Sequence, residues 1–523
     1  NVHGNEASSS EVSMKLLYEL LTSGSPEIRD RLANTVIIID PCLNPDGRDR
    51  YVNGYNSVVG KFPNADPAAA EHDEPWPSGR GNHYYFDLNR DWAWQTQDES
   101  RFRIKKYSEW MPAIHVDFHE QYPGSPYYFA PAAEPFHEVI TPWQRSFQTL
   151  IGKNHAKYFD ANGWLYFTRE YFDLFYPAYG DTYPIYNGSI GMTYEQAGHG
   201  VAGLAIKTQE DTLTLTDRIL HHFTTSMSTI EAASAHASEL NRELAKYFAD
   251  GMAHGCGAYG SYVISGKSPK MLEPLTKLFD ANGISWSGVR GNTKYKGFNY
   301  FTGKEENRES EEGDILVSSR QPKAALVKVL FEPRSVLADS STYDITAWSL
   351  PYAFGVQAWA VKEALSGFTA PALATKPAFT WQNPYGYLMK YDAFSDAVLV
   401  ASMLREGVKL RYSEKSFVYD GKKYLPGTII ILKKGNEGKL KVIEGLISKS
   451  GAELDPVSSG FMESGIDFGS DKVHLLNKLR VAALTGKMSN AYSAGEVWHL
   501  FEQQLGYPVT MLNTNEPGSP DLR

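Results

Sequence analysis

Ala113-Ile114-His115-Val116-Asp117-Phe118-His119-Glu120 is the stretch on which the reading of the fold turns. It reads as a strand, and it follows a helix-like segment from Glu99 to Trp110. His115 and His119 are four residues apart, so on a strand both point to the same face. His119 stands where the strand ends and the loop Gln121-Tyr122-Pro123-Gly124 begins. His115 lies deeper and reads as a packed, hydrogen-bonded histidine.

Working outward, helix-like and strand-like segments alternate. Ser10 to Leu21 has apolar residues at helical spacing (Val12, Leu16, Leu17, Leu20 and Leu21) after a serine cluster suited to capping. Thr35-Val36-Ile37-Ile38-Ile39-Asp40 reads as a buried strand. Asn44-Pro45-Asp46-Gly47 reads as a turn, and a long loop rich in Gly, Pro and Asn follows. Gly191-Met192-Thr193-Tyr194-Glu195-Gln196-Ala197 reads as a second strand, ending in an acid. A helical stretch from Asp211 to Tyr247 closes the domain. The pattern predicts an α/β fold, with helices covering a largely parallel sheet. Ligand sites in such sheets lie at the carboxyl ends of the strands.

The Gly- and Ala-rich stretch Gly251 to Gly260 marks a boundary. Beyond it come strand Tyr262-Val263-Ile264, helix Lys270 to Ala281, a charge run from Lys304 to Asp314, and strand Ile315-Leu316-Val317. The run from Phe301 to Val317 has an echo in Asp420 to Ile431. That echo is either a structural repeat or two unrelated αβ units with similar turns. Arg480 to Leu505 reads as strand, loop and helix. It resembles the opening of a class I glutamine amidotransferase-like domain, without a cysteine elbow and so without that chemistry. The expected domains are 1–250, 251–375, 376–475 and 476–523.

Composition bounds the function. A chain of 523 residues is too long for one hydrophobic core. Its formal charge of −10 and its lack of a basic cluster argue against nucleic-acid binding. No window approaches the length and apolarity of a membrane span. Cys42 and Cys256 are the only cysteines, which excludes a disulfide scaffold and a cysteine zinc site and leaves room for one bridge or none. The aromatic content is high, at 13% with 32 Tyr and 11 Trp. Aromatic residues line sites for peptides or sugars, though most simply fill cores. No basic stretch or apolar run opens the chain, so no signal peptide is legible and the sequence reads as a fragment.

The chemistry begins at His3-Gly4-Asn5-Glu6. A neutral imidazole nitrogen and a carboxylate oxygen three residues apart can converge on zinc. The same spacing recurs at His236–Glu239 and His499–Glu502, where it reads as a solvated helix face. A third ligand is required, and His119 supplies it. Glu195, beside zinc, can take a proton from water and pass it to a leaving amine, though a single Glu on a strand taken alone reads as a surface residue. Gly79-Arg80-Gly81-Asn82 and Asp87-Leu88-Asn89-Arg90-Asp91-Trp92 add arginines that can fork onto a carboxylate or steady an oxyanion.

Taken in order, His-x-x-Glu, Asn-Pro-Asp-Gly, Arg, Asp-x-Asn-Arg, His and Glu resemble the zinc carboxypeptidase family over roughly residues 1 to 235. The resemblance implies a carboxypeptidase-like mixed, mostly parallel sheet flanked by helices, followed by further α/β domains. It implies one Zn²⁺ held by His3, Glu6 and His119, with Asp87 orienting His3. It gives Arg80 the scissile carbonyl, Asn89 and Arg90 the substrate's terminal carboxylate, and Glu195 the role of base and acid. The family also has a mobile tyrosine. Tyr171, Tyr176, Tyr179, Tyr183 and Tyr186 compete for that place, and Tyr176 is favoured. Glu120 departs from better-known members, which have a small residue there. A carboxylate so near the metal can orient a ligand or favour a basic substrate group. The family's first strand precedes the His-x-x-Glu and has no counterpart before His3.

The implied activity is promoted-water hydrolysis of peptides with a free C-terminus, in a secreted or periplasmic protein. The alternatives are a zinc deacylase of small N-acyl amino acids, or a non-catalytic peptide-binding protein on a peptidase scaffold.

Overall fold

Helix α1, Ser8–Thr22, buries Val12, Leu16 and Leu20 along one face, as their spacing demands. These residues pack with Ile28 and Ile230, and Ile37 and Ile39 lie against the same cluster. The structure is a computed structural model, and it describes residues 1–267, 269–289, 291–337, 342, 347–368 and 378–514. By packing, the chain divides into Asn1–Pro371 and Ala372–Arg523.

The strand expected at 35–40 is not formed. Its backbone is extended, but no described strand pairs with it. Val36 and Ile38 stand exposed, while Ile37 and Ile39 turn inward. A β-branched run fixes extended backbone, but a strand also needs a neighbour to bond. The expected turn at Asn44-Pro45-Asp46-Gly47 is instead a helix start. Asn44 Oδ1 accepts from the Gly47 N–H at 2.9 Å, Pro45 occupies the first turn, and the helix runs Pro45–Val58. Asn at the cap followed by Pro is a helix-initiating pair as well as a turn pair.

Strand β1, Ile114–Gln121, follows the helix Asp98–Trp110. Helix α2, Pro142–Asn162, opens on a capping box between Thr141 and Gln144 and ends at the left-handed Gly163. Strand β2, Ile190–Ala197, is buried at every position, as a strand covered on both faces must be. It pairs in parallel with β1 along its whole length, and His119 lies opposite Glu195. On its other side β2 meets Tyr127–Tyr128 antiparallel, and that strand pairs in parallel with Tyr166–Phe167. The result is a mixed α/β layer. Helix α3, Leu215–Ala235, begins at the Thr214–Asp217 capping box.

One face of this sheet carries Met192 and Tyr194 against Phe147, Ile151 and Phe159 of α2. Trp92, Tyr107, Tyr183 and Tyr186 belong to a second core. That core continues into Tyr262, Leu326 and Phe331, which belong to the next sheet and its helices. That seven-stranded sheet has the order Lys304–Glu309, Lys294–Asn299, Ala358–Val361, Ser261–Ile264, Ile315–Ser318, Ser287–Val289, Gly367–Phe368.

The second unit holds a five-stranded antiparallel sheet around Gly386–Met389 and Ile429–Leu432. It also holds a parallel pair, Val481–Thr485 with Val509–Asn513. Both echoing segments build a hairpin, a strand and then a helix: 294–309, 315–318 and 324–331 in one, and 417–424, 429–432 and 440–450 in the other. Cys42 and Cys256 are free thiols. No described helix is long and apolar enough to cross a membrane.

Candidate metal centre and substrate cleft

The site lies at the carboxyl ends of β1 and β2, beside the turn that leads into α1. His3, Glu6 and His119 each turn one donor atom to a common point, all within 4.8 Å of one another, and all three side chains are buried. His3 Nδ1 is 2.7 Å from Glu6 Oε1. His119 Nδ1 is 2.9 Å from Glu6 Oε2 and 3.2 Å from His3 Nδ1. The outer ring nitrogens face carboxylates, His3 through a hydrogen bond and His119 through a charge contact. His3 Nε2 meets Asp87 Oδ1 at 2.9 Å, and His119 Nε2 meets Asp117 Oδ2 at 3.1 Å.

The electrostatics follow from this crowding. Burial opposes charge on Glu6, but His3 and His119 outweigh it and hold its carboxyl well below the usual range. Asp87 is also held low, where Arg80 and His3 overcome burial. Burial opposes the charged form of His119, yet Asp117 and Glu6 raise it well above an ordinary imidazole. The centre therefore favours positive charge. Two imidazoles and a carboxylate, each backed by a further acceptor or donor, make a donor set that suits zinc.

Glu195 sits across the strand pair from His119. Its Oε2 is buried without a hydrogen-bond partner. Burial pushes its carboxyl up to about 8; Glu6 adds to the rise, and His119, His199 and Arg80 oppose it. A carboxylate kept poorly solvated and unpaired is a competent proton acceptor.

Arg80 grips Asp87 Oδ2 through Nη2 at 2.8 Å and Nε at 3.2 Å. Its Nη1 reaches to 3.1 Å from His3 Nδ1. Asn89 accepts from the Gly180 N–H at 2.7 Å and lies 3.3 Å from His119 Nε2. The Arg90 guanidinium stacks 4.7 Å from the centre of the Tyr179 ring. These groups share a cavity of about 390 Å³ with His3, Glu6, His119, Glu195, Phe172, Asp173, Tyr179, Asp181 and His199.

Tyr176 does not line that cavity. Its hydroxyl accepts from Trp94 Nε1 at 2.7 Å, and its ring packs on Tyr179 and Trp348. Tyr179 takes the position against the cleft. The five competing tyrosines have no periodicity that separates them, because their segment is mostly irregular. Sequence reading also missed His199, whose Nδ1 is 3.4 Å from Glu6 Oε1. Its flanking glycines Gly198 and Gly200 were the one available signal, since both have positive φ. Asp117 was not singled out either, although its place two residues before His119 on the same face of β1 was a signal. Glu120 is among the residues lining the cavity, but its carboxylate is buried and paired with Arg218 at 3.0 Å. His115 packs edge-on against Trp92 and Tyr107.

The Peptidase_M14 family model, zinc carboxypeptidase, matches residues 1–124. That span holds His3, Glu6, Arg80, Asp87, Asn89, Arg90 and His119, and it ends before Glu195 and Tyr179. No curated protein matches the chain. Among solved structures, a metallo-carboxypeptidase from Burkholderia cenocepacia is 15% identical, with a TM-score of 0.33, and the match covers 46% of this chain and 55% of that one. A protein from Burkholderia mallei ATCC 23344, assigned as a carboxypeptidase, is similar at 15% identity and a TM-score of 0.32, with the same coverage. The chain thus spans 55% of the length of each, and what it is similar to over residues 1–124 is the zinc carboxypeptidase family.

Proposed function

We propose that this chain is a zinc metallopeptidase that removes C-terminal residues from peptides. The observation that carries the reading is the convergence of His3, Glu6 and His119 beside the unpaired carboxylate oxygen of Glu195. His3, Glu6 and His119 are the residues that would hold zinc. Zinc, when bound, supplies Lewis-acid activation of water and of a carbonyl.

The chain's own residues do the rest. Glu195 takes the proton of the attacking water and returns it to the leaving nitrogen. Arg80 donates to the carbonyl oxygen as negative charge develops on it. Asn89 and Arg90 hold the substrate's terminal carboxylate, which selects a free C-terminus. Tyr179, stacked on Arg90, closes that side of the cleft. The reading of residues 476–523 as the start of an amidotransferase-like domain has the support of helix Ala491–His499 between the parallel strands Val481–Thr485 and Val509–Asn513, and residues 515–523 lie outside the described residues.

The test is metal analysis together with a panel of peptides carrying free or amidated C-termini. Zinc near one per chain and release of single residues from free C-termini only is the expected result. Equal cleavage of amidated peptides defeats the reading. Hydrolysis of small N-acyl amino acids with no action on peptides turns it to a deacylase. Tight peptide binding with no hydrolysis turns it to a binding protein.

A further inference from the structure

Glu120 follows the candidate ligand His119 but faces the other way, into the interior. Its side chain is fully buried, and its partner Arg218 on α3 is 1% exposed. Arg218 Nη1 donates to both carboxylate oxygens, at 3.1 and 3.0 Å. The Ser8 backbone N–H donates to Glu120 Oε1 at 2.9 Å, and the Ser8 hydroxyl donates to the same oxygen. In return, the Glu120 backbone N–H donates to Glu6 Oε2 at 2.9 Å.

This pattern is reciprocal. The first turn of α1 has no capping side chain of its own, and a carboxylate from the end of β1 supplies the acceptor for the Ser8 N–H. The backbone of that same residue fixes the candidate ligand Glu6, which stands just ahead of the helix. Arg218 extends the link by donating to the Gly203 carbonyl in the loop after β2. At Gly198, on that loop, an added Cβ would collide with the Glu120 carboxylate and Arg218. One carboxylate therefore ties together the segments that carry Glu6, His119 and Glu195. A buried ion pair is a poor stability device, because apolar replacements often match it. It is a good device for holding three segments in one register.

We propose that Glu120 is a positioning residue for the metal centre, acting through Ser8, Arg218 and its own backbone on Glu6 and His119. The proposal rests on the reading of His3, Glu6 and His119 as a zinc site. It predicts an effect on metal affinity rather than on substrate contact.

Zinc affinity is measured by chelator competition in the full chain, and the visible spectrum is recorded after cobalt substitution. Glu120→Gln is expected to weaken zinc binding by about 10–100-fold and to alter the cobalt spectrum. Its kcat falls while KM changes little. Ser8→Ala loses one hydrogen bond and keeps the ion pair, so a loss of about fivefold is expected. Metal affinities within about twofold of wild type in both variants overturn the proposal. If Glu120→Gln does not fold, Ser8→Ala and Arg218→Lys decide the matter, and unchanged zinc affinity in both overturns it. Wild-type protein that binds no zinc removes the metal reading and this proposal together. Wild-type binding with unaffected variants removes the proposal alone.

Discussion

His3 Nε2 lies 2.9 Å from Asp87 Oδ1, and this contact fixes which nitrogen of His3 faces Glu6 and His119. With Nε2 engaged as the donor, Nδ1 is left with a lone pair directed at the centre. Asp87→Asn keeps the shape and removes the charge. It also frees Arg80, which holds the other carboxylate oxygen. We expect zinc affinity to fall by about 10–100-fold, read by chelator competition. An affinity equal to wild type would contradict the orienting role.

Glu195→Gln tests the proton-transfer step. The change is nearly isosteric, and Glu195 is not among the donors that converge on the centre. Zinc content should therefore stay near one per chain while kcat falls by about 10²–10⁴-fold. KM should move little, since binding rests on Asn89 and Arg90. A variant with full kcat would rule Glu195 out as the base.

Arg90→Met tests the choice of a free C-terminus. Methionine keeps much of the aliphatic stem against Tyr179 and removes the guanidinium. We expect kcat/KM for free-acid peptides to fall by about 10–100-fold, the size of a lost charge-assisted contact. The ratio of free-acid to amidated cleavage should shrink with it. An unchanged ratio would move carboxylate recognition elsewhere in the cleft.

Acid should destabilise the first unit through histidines that fold neutral. His155 is fully buried between Ser228 Oγ at 2.8 Å and the Tyr194 hydroxyl at 2.7 Å. Burial depresses it to about 3. Burial also holds His222 well below the usual range, with His221 adding to the effect. For a depressed histidine, the unfolded chain binds the proton first. The stabilising contribution is thus complete above the unfolded value near 6.5 and is lost as pH falls through that value toward the folded one. Across this window the loss is on the order of a few kcal/mol per histidine. Melting temperature should drop steeply below pH 6.5 in the wild type. His155→Gln should melt lower at pH 7 but depend less on pH, and an identical slope in the two proteins would refute the assignment.

Much of the first domain was legible because it is written in local patterns. The spacing of Val12, Leu16 and Leu20 sets α1, and the segments around His119 and Glu195 form strands as read. The helix at Pro45–Val58 was missed because Asn-Pro-Asp-Gly serves turns and helix starts alike, and only the residues beyond it choose. The run at 35–40 has strand composition, but pairing is a property of neighbours, and it has none among the described residues.

For the site, the sequence by itself offered a set of candidates, His3, Glu6, Arg80, Asp87, Asn89, Arg90, His119 and Glu195, through the resemblance of motifs in that order to the zinc carboxypeptidase family. Spacing alone does not carry that set, since His-x-x-Glu recurs at His236–Glu239 and His499–Glu502; the order of the motifs along the chain does. Only the tertiary structure decided the rest. It set Tyr179 rather than Tyr176 against the cleft, brought His199 to the edge of Glu6, and turned Glu120 inward to Arg218. The physical reason is the same each time. Where a side chain points depends on which partner across a long loop of chain satisfies its charge or its hydrogen bond, and no local spacing encodes that partner.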